Sequence, residues 1–223
     1  MKFSPDTLTV LKNFSEINSG IHFKKGSLLS TWHAQKFVIA EAAITEALPK
    51  NFTIFDLNKL LAISSLFQTP EFDFQDDQVV VSSDNRSVNY LYSEPSLVLD
   101  PGDRVDKYRN EVVKGSIAVA TVSKDDLKSL KQAASILALP DIAVVGKKNK
   151  IIFTAQDSTN SSSETFRVEI PSDIQQDFSS ILKVSHFKLL DGEYDFVCHP
   201  KLAYFKNRAV PLEYWIAFQS EKS

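Results

Sequence analysis

The chain has 223 residues, 43% hydrophobic and 24% charged, a composition typical of a folded globular protein that excludes a disordered chain, a collagen-like repeat and a coiled coil. Its formal net charge of −3 excludes a protein that binds nucleic acid through bulk basicity, but a local basic surface on an acidic body remains possible. Because no apolar run is long enough to span a membrane and the first residues lack a signal-peptide core, we expect neither a membrane protein nor a secreted one.

The glycines and the single cysteine exclude further kinds of site. The six glycines have no spacing that makes a dinucleotide-binding or phosphate-binding loop, so we expect no nucleotide cofactor. One cysteine, Cys198, excludes an internal disulfide, and the four histidines lack metal-ligand spacing. We therefore expect no metal site and no nucleotide-binding loop, with Cys198 in the core.

Helix signals alternate with strand patterns along the first half of the chain. A helix is predicted after Ser4, because its hydroxyl can accept a bond from a free helix N–H and Pro5 loses no bond at the first helical position. Asp56 is the same kind of start signal for a second helix. Alternating β-branched and aromatic residues predict strands over 20–23, 28–32, 37–44, 79–82 and 88–92.

The second half repeats this order. Residues 123–131 share Ser, Asp, two Leu and Lys with residues 4–12 at a constant offset of 119. Residues 185–190 share Lys-Leu-Leu with residues 56–61, so both segments of the second half are predicted to be helices. Strands are predicted over 117–122, 142–145, 151–155, 166–170, 194–198, 202–205 and 212–218.

The repeat predicts an α+β chain of two similar domains, each with two helices against antiparallel sheets. The first domain is assigned to residues 1–110 and the second to residues 111–223. A connector is predicted at about 94–114, where prolines, turn residues and a charged stretch interrupt the periodic patterns.

Lysines recur on the predicted helices. At 100° per residue, one face of the third helix is apolar, and this predicted buried face consists of Leu127, Leu130, Ala134 and Leu137. A separate stripe of that helix carries three lysines, and each other predicted helix carries one at an equivalent position. These six are Lys12, Lys59, Lys124, Lys128, Lys131 and Lys188. A solvated polar face is the alternative interpretation. Because Glu16 shares the stripe on the first helix, the positive surface is expected to be stronger in the second half.

Three segments of the first 65 residues also resemble a known family. They are Leu11-Lys12-Asn13-Phe14, Ile17-Asn18-Ser19-Gly20-Ile21 and Ile54-Phe55-Asp56-Leu57-Asn58. In this order and at these distances from the start, they are similar to the DNA polymerase sliding clamps of T4-like bacteriophages. The two-domain pattern extends the resemblance over essentially the whole chain.

The resemblance implies a ring-shaped homotrimer in which six domains form a pseudo-sixfold ring, with helices inside and sheets outside. It implies a processivity factor that encircles double-stranded DNA without sequence specificity and tethers the replicative DNA polymerase. It also implies loading by an ATP-dependent clamp loader, no enzymatic activity, no cofactor, and a location in the cytoplasm of the infected bacterial host. A tube lined with lysines attracts the phosphate backbone without reading bases, which agrees with the lysine pattern.

Carried over to this chain, the resemblance makes the six helix lysines DNA-facing, with Lys2 and Lys183 as weaker candidates. It also implies an apolar pocket for partner peptides near the connector. The candidate pocket residues are Leu97, Val98, Leu99, Val210 and Leu212, for which burial in the core is the alternative.

Two other functions stay open at this stage. A scaffold or adaptor of the same fold that does not encircle DNA would have the same lysines, merely solvated. An enzyme with a site between the domains would need a pocket with perturbed ionisable groups.

Overall fold

The chain is described by a computed structural model over residues 1–219. It divides into two compact units, of which unit 1 is Met1–Gly102 and unit 2 begins at Asp103. Each unit contains two α-helices, and the paired strands within residues 1–219 are antiparallel. The predicted α+β class is therefore confirmed.

The helices of unit 1 are α1 (Pro5–Ile17) and α2 (Leu57–Ser64). The strands of unit 1 are β1 (Ile21–Phe23), β2 (Gly26–Trp32), β3 (Val38–Leu48), β4 (Phe52–Ile54), β5 (Glu71–Phe74), β6 (Gln78–Ser83) and β7 (Arg86–Leu91). Strand β1 pairs with β4, β2 pairs with β3, and β5, β6 and β7 form a three-stranded sheet in that order.

The first residue lies against the edge of this three-stranded sheet. The Met1 amino group donates to the Phe72 carbonyl oxygen at 2.8 Å, and the Phe72 N–H donates to the Met1 carbonyl oxygen at 2.7 Å. The Phe3 ring packs on Phe72 with 4.6 Å between ring centroids. These contacts cover the edge of β5, which would otherwise present unpaired backbone groups.

The helices of unit 2 are α3 (Arg104–Gly115) and α4 (Lys124–Ile136). The strands of unit 2 are β8 (Ala118–Val122), β9 (Asp141–Lys147), β10 (Lys150–Gln156), β11 (Phe166–Pro171), β12 (Asp173–Ile174), β13 (Phe178–Lys183), β14 (Tyr194–His199), β15 (Leu202–Asn207) and β16 (Leu212–Ala217). One sheet has the order β11-β10-β9-β13, and the other contains β12-β8-β14-β15-β16.

Helices α1, α2 and α4 begin where the capping residues predict. The Ser4 hydroxyl accepts from the Thr7 N–H at 3.2 Å, and the Ser123 hydroxyl accepts from the Asp126 N–H at 3.1 Å. The Asp56 carboxylate caps α2 in the same way. Each cap satisfies an N–H that has no partner within the helix, so residues close in sequence are enough to predict these start positions.

The turn at the C-terminus of α4 places a different leucine in the core from the one predicted. The Leu139 N–H donates to the Ala134 carbonyl at 2.8 Å and the Ala138 N–H donates to the Ser135 carbonyl at 3.3 Å, which is the Schellman arrangement. Ala138 takes the left-handed conformation, with φ of 51°. This turn buries Leu139 and leaves Leu137 38% exposed, so the prediction that Leu137 belongs to the buried face was wrong.

The prediction of a helix over 185–190 was also wrong. Only a 3-10 turn, Val184–His186, forms there, and the following residues have no helical hydrogen bonds. The second helix of unit 2 is α3, which lies in the stretch predicted as a connector. Arg109 of α3 bonds the Glu213 carboxylate through Nε at 3.1 Å and Nη2 at 2.9 Å, and its guanidinium lies 5.5 Å from the centre of the Trp215 ring. These contacts attach a polar helix to strand β16.

Four strands were not predicted from the sequence: β4, β5, β12 and β13. Strands β4 and β12 have only three and two residues, too few for an alternating pattern. Strand β13 contains Ser179 and Ser180, which favour turns, yet it pairs along β9 over its whole length.

The N-terminus of α1 receives a second acceptor from β3. The Glu46 carboxylate accepts from the Thr7 hydroxyl at 2.6 Å and from the Ser4 N–H. Burial acts to raise the pKa of Glu46, but the hydrogen bonds from Thr7 and Ser4 outweigh it and hold that pKa below its ordinary value. The negative charge also lies at the positive end of the helix dipole.

We predict that Glu46→Gln lowers the free energy of unfolding by about 1 kcal/mol at pH 7, because a charge-assisted bond becomes a neutral one. A depressed carboxyl pKa stabilises the fold above its unfolded value and loses this effect as pH falls through the folded value. The difference from the parent should therefore shrink below about pH 4.5 in urea unfolding. Glu94→Gln, at an exposed position of unit 1, is the control. If Glu46→Gln lowered the free energy of unfolding equally at pH 7 and below about pH 4.5, the stabilising role of the ionised Glu46 carboxylate would be contradicted.

We predict that Ala138→Gly stabilises unit 2, because glycine adopts the left-handed conformation without the steric cost that alanine has there. The expected gain is about 0.5–1 kcal/mol after the greater freedom of glycine in the unfolded chain is subtracted. Ala133→Gly, inside α4, is the matched control and should destabilise by about 1 kcal/mol. Thermal unfolding of both variants measures this, and destabilisation by both would refute the strain at position 138.

Candidate nucleic-acid interface

Helices α1 and α2 of unit 1 pack on each other and present their lysines to solvent. The apolar side of α1 is buried through Leu11 and Phe14, whereas Lys12 is exposed. The apolar side of α2 is buried through Leu57 and Leu60, whereas Lys59 is exposed. The helical period therefore places both lysines away from the buried apolar side.

Helix α4 of unit 2 has the same arrangement. Leu127, Leu130 and Ala134 are buried, with 3% or less of each side chain exposed. Lys124 and Lys128 are exposed one turn apart on a different face. Both predicted lysines of this face thus lie in solvent.

Lys131 differs from the other two lysines of α4, because it is half-buried and ion-paired. Its Nζ lies 2.7 Å from the Asp191 carboxylate and donates to the Leu189 carbonyl oxygen at 3.1 Å. The predicted stronger positive surface of unit 2 therefore includes an acidic residue that the sequence analysis missed. No sequence pattern indicates it, since the partners are 60 residues apart.

Asp191 also responds to the rest of the lysine stripe. The hydrogen bond from Lys131 lowers the pKa of Asp191 below its ordinary value, burial opposes this shift, and the charges of Lys124 and Lys128 act in the same direction as Lys131. The three lysines of α4 thus act on one carboxylate, which stays ionised at neutral pH.

The segment that carries Asp191 is held in a non-helical path by two buried tyrosines. The Leu190 N–H donates to the Tyr214 hydroxyl oxygen at 3.1 Å, and the Tyr194 hydroxyl donates to the Leu190 carbonyl oxygen at 2.6 Å. Because both backbone groups of Leu190 are used, they are not available to a helix. Lys188, predicted on a helix, therefore lies on this segment and is half-buried.

The two weaker lysine candidates are both ion-paired. Lys2 lies 3.3 Å from the Glu71 carboxylate at the surface of unit 1. Lys183 lies 2.5 Å from the fully buried carboxylate of Asp141, which Ser158 also bonds. Lys183 therefore has a structural role in neutralising a buried charge.

The five candidate pocket residues differ in burial. Leu97 is 60% exposed and Leu99 is 37% exposed, whereas Val98 between them is 8% exposed. In unit 2, Leu212 is fully buried and Val210 is half-buried. Leu97 and Leu99 thus offer the most apolar surface of this group, and the pocket itself stays a prediction.

Cys198 lies on β14 with none of its side chain exposed, and burial raises the pKa of its thiol to about 12. Within residues 1–219, no three His, Cys, Asp or Glu side chains lie close enough together to hold a metal ion. No helix in this part of the chain is long and apolar enough to cross a membrane.

Comparison with known protein families matches both halves of the chain. The model of the DNA polymerase processivity factor matches residues 4–92, and the model of the gp45 sliding clamp C-terminal domain matches residues 119–220. The sliding clamp of Vibrio phage KVP40 is 30% identical over 224 residues, covering 99% of this chain and 100% of that protein. The sliding clamp of Enterobacteria phage T4 is 29% identical over 208 residues, covering 90% and 88%.

Solved structures with low sequence identity have the same fold. Proliferating cellular nuclear antigen from Entamoeba histolytica aligns with a TM-score of 0.67 and 13% identity, covering 96% of this chain and 94% of that one. The beta clamp of H. pylori aligns with a TM-score of 0.70 and 15% identity, covering 98% of this chain and 65% of that one.

The family matches confirm the resemblance first seen in the segments around Lys12 and Asp56, and they extend it to unit 2. Since a relative with 30% identity is matched along nearly the full length of both proteins, the chain belongs to the sliding clamp family of DNA polymerase processivity factors.

Proposed function

We propose that three copies of this chain close into a ring around double-stranded DNA and tether the replicative polymerase to its template. The observation that carries the proposal is the recurrence of exposed lysines on α1, α2 and α4 of a chain whose net charge is −3. Helices facing the hole would concentrate positive charge around the duplex, while the acidic remainder discourages DNA from binding elsewhere.

The use of lysine rather than arginine on these helices supports a surface along which DNA can slide. Helices α1, α2 and α4 contain lysine and no arginine. A flexible ammonium makes single, exchangeable contacts to phosphate, whereas a planar guanidinium makes paired bonds that would hold the protein in place. The six proposed DNA-facing residues are Lys12, Lys59, Lys124, Lys128, Lys131 and Lys188.

Ring closure would also cover strand edges. In the single chain, β7 ends the three-stranded sheet of unit 1 and β11 ends one sheet of unit 2. A head-to-tail interface that closes after three copies can pair such edges, which otherwise invite uncontrolled association. The tether is then topological, because a closed ring leaves DNA only at an end or after opening.

The polymerase and an ATP-dependent clamp loader are the proposed partners, and the cytoplasm of an infected bacterium is the proposed location. The clamp acts without catalysis and without a cofactor. Partner peptides would dock near the connector, where Leu97 and Leu99 are the exposed apolar side chains.

We predict that the protein, loaded onto a nicked DNA circle by its clamp loader, stays bound at high salt and is released when the circle is linearised. Salt screens the lysine–phosphate attraction but cannot break a topological link. Gel filtration of labelled protein with the DNA measures the retained fraction.

The control in this experiment is linear DNA whose ends are blocked by bound protein, which should retain the clamp. Equal retention on circular DNA and on linear DNA with free ends would contradict encirclement. That outcome would favour a scaffold of the same fold that does not surround DNA.

We predict that changing Lys124, Lys128 and Lys131 together to Ala slows loading severalfold, because each removed charge weakens attraction to the phosphates. Native mass should be unchanged, since Lys124 and Lys128 are exposed, Lys131 is only half-buried, and none of the three belongs to the buried face of α4. Loading rate is measured with a fluorescent clamp and a primed circle.

A matched variant changes Lys107, Lys114 and Lys201 to Ala, which removes the same charge from exposed positions outside α1, α2 and α4. This variant should load at close to the parent rate. If both triple variants load equally fast, the DNA-facing role of the α4 lysines is refuted.

A further inference from the structure

Within the proposed DNA-facing surface of unit 2, one carboxylate opposes the lysines. Asp191 lies 2.7 Å from Lys131 Nζ, and about half of its side chain is exposed, at 54%. A carboxylate beside a phosphate-binding surface weakens the attraction to DNA, so Asp191 acts against the lysines around it.

The position of Asp191 is well defined by the fold. Leu190, the preceding residue, is bonded through its N–H and its carbonyl to Tyr214 and Tyr194, whose rings are fully buried. Gly192 follows, where a β-carbon would lie 2.3 Å from Nδ2 of the buried Asn207, so a larger residue would displace that side chain. The carboxylate is therefore presented to α4 by a segment whose backbone is hydrogen-bonded to two buried tyrosines.

Lys131 is held by two acceptors of different kinds. The Leu189 carbonyl fixes the direction of the ammonium, and the Asp191 carboxylate supplies the charge partner. An ion pair that is partly exposed to solvent, as this one is, contributes little net stability, so a DNA phosphate can replace the carboxylate at small cost. The ammonium can then exchange between the protein and the DNA.

Resting on the ring function proposed above, we infer that Asp191 is a positioning residue that holds Lys131 in competition with DNA phosphates and so limits the lysine–phosphate contacts of the sliding surface. The depressed pKa of Asp191, to which Lys124 and Lys128 also contribute, supports this role because the carboxylate stays charged wherever the lysines are charged. Fewer lasting contacts favour movement along the duplex.

The experiment measures equilibrium binding of the full-length protein to a short fluorescent linear duplex, which can thread a closed ring without a loader. The slope of log K against log salt counts the phosphates neutralised, at about 0.9 per phosphate. Asp191→Asn should steepen this slope by up to about 0.9 per protomer, because Lys131 becomes available to phosphate.

Two comparisons separate the effect of the Lys131–Asp191 contact from the effect of removing a negative charge anywhere on the protein. Asp177→Asn removes the same charge from an exposed position outside α1, α2 and α4 and should leave the slope at the parent value. In a Lys131→Ala background, Asp191→Asn should no longer alter the slope. Thermal unfolding of the Asp191→Asn variant distinguishes a purely structural role of Asp191. In that case the melting temperature would fall and the salt slope would stay unchanged.

The outcomes distinguish this inference from the function on which it rests. If Lys124→Ala and Lys128→Ala leave the slope of the parent unchanged, the proposed DNA surface is wrong. If those two changes flatten the slope but Asp191→Asn gives the same slope as Asp177→Asn, the DNA surface stands and the role of Asp191 is overturned.

Discussion

The electrostatic design of this clamp depends on burial of the apolar sides of its helices. Leu11 and Phe14 on α1, and Leu127 and Leu130 on α4, are almost completely buried, so the polar sides of both helices face solvent. At 3.6 residues per turn, the lysines then lie on exposed faces without any further constraint. In the proposed function, a weak attraction from these lysines would keep DNA centred while ring closure would supply the retention.

On the proposed DNA-facing surface, acidic residues as well as lysines would determine how strongly the duplex is attracted. Glu16 lies on the exposed side of α1, and Asp191 pairs with Lys131 beside α4. A sliding protein needs enough charge to hold the duplex but not enough to stop on it, because every added lysine–phosphate contact increases affinity steeply at low salt. Acidic residues near the lysines are one means of keeping that number small.

Local chemistry made much of the fold predictable. Ser4, Asp56 and Ser123 identify three helix starts, because each cap involves residues only three positions apart. The match of 123–131 to 4–12 correctly predicts a helix in each half of an α+β chain, whereas the match of 185–190 to 56–61 does not mark a second one. The lysine stripe on α4 follows from the same period that predicts its buried face.

The features that sequence reasoning missed depend on contacts between distant residues. The helix predicted over 185–190 does not form, because Tyr194 and Tyr214 bond the backbone of Leu190 instead. Helix α3 has few buried apolar residues, and Arg109 attaches it through Glu213, 104 residues away. The pairing of Lys131 with Asp191 follows from the non-helical segment and was likewise hidden.

The most direct test of the account is photo-crosslinking from the surface of α4 to encircled DNA. A photoreactive amino acid at position 128 should crosslink to a duplex on which the clamp is loaded, whereas the same group at position 107 on α3 should not. Crosslinks from position 107 with none from position 128 would contradict the claim that the lysine-bearing helices face the DNA.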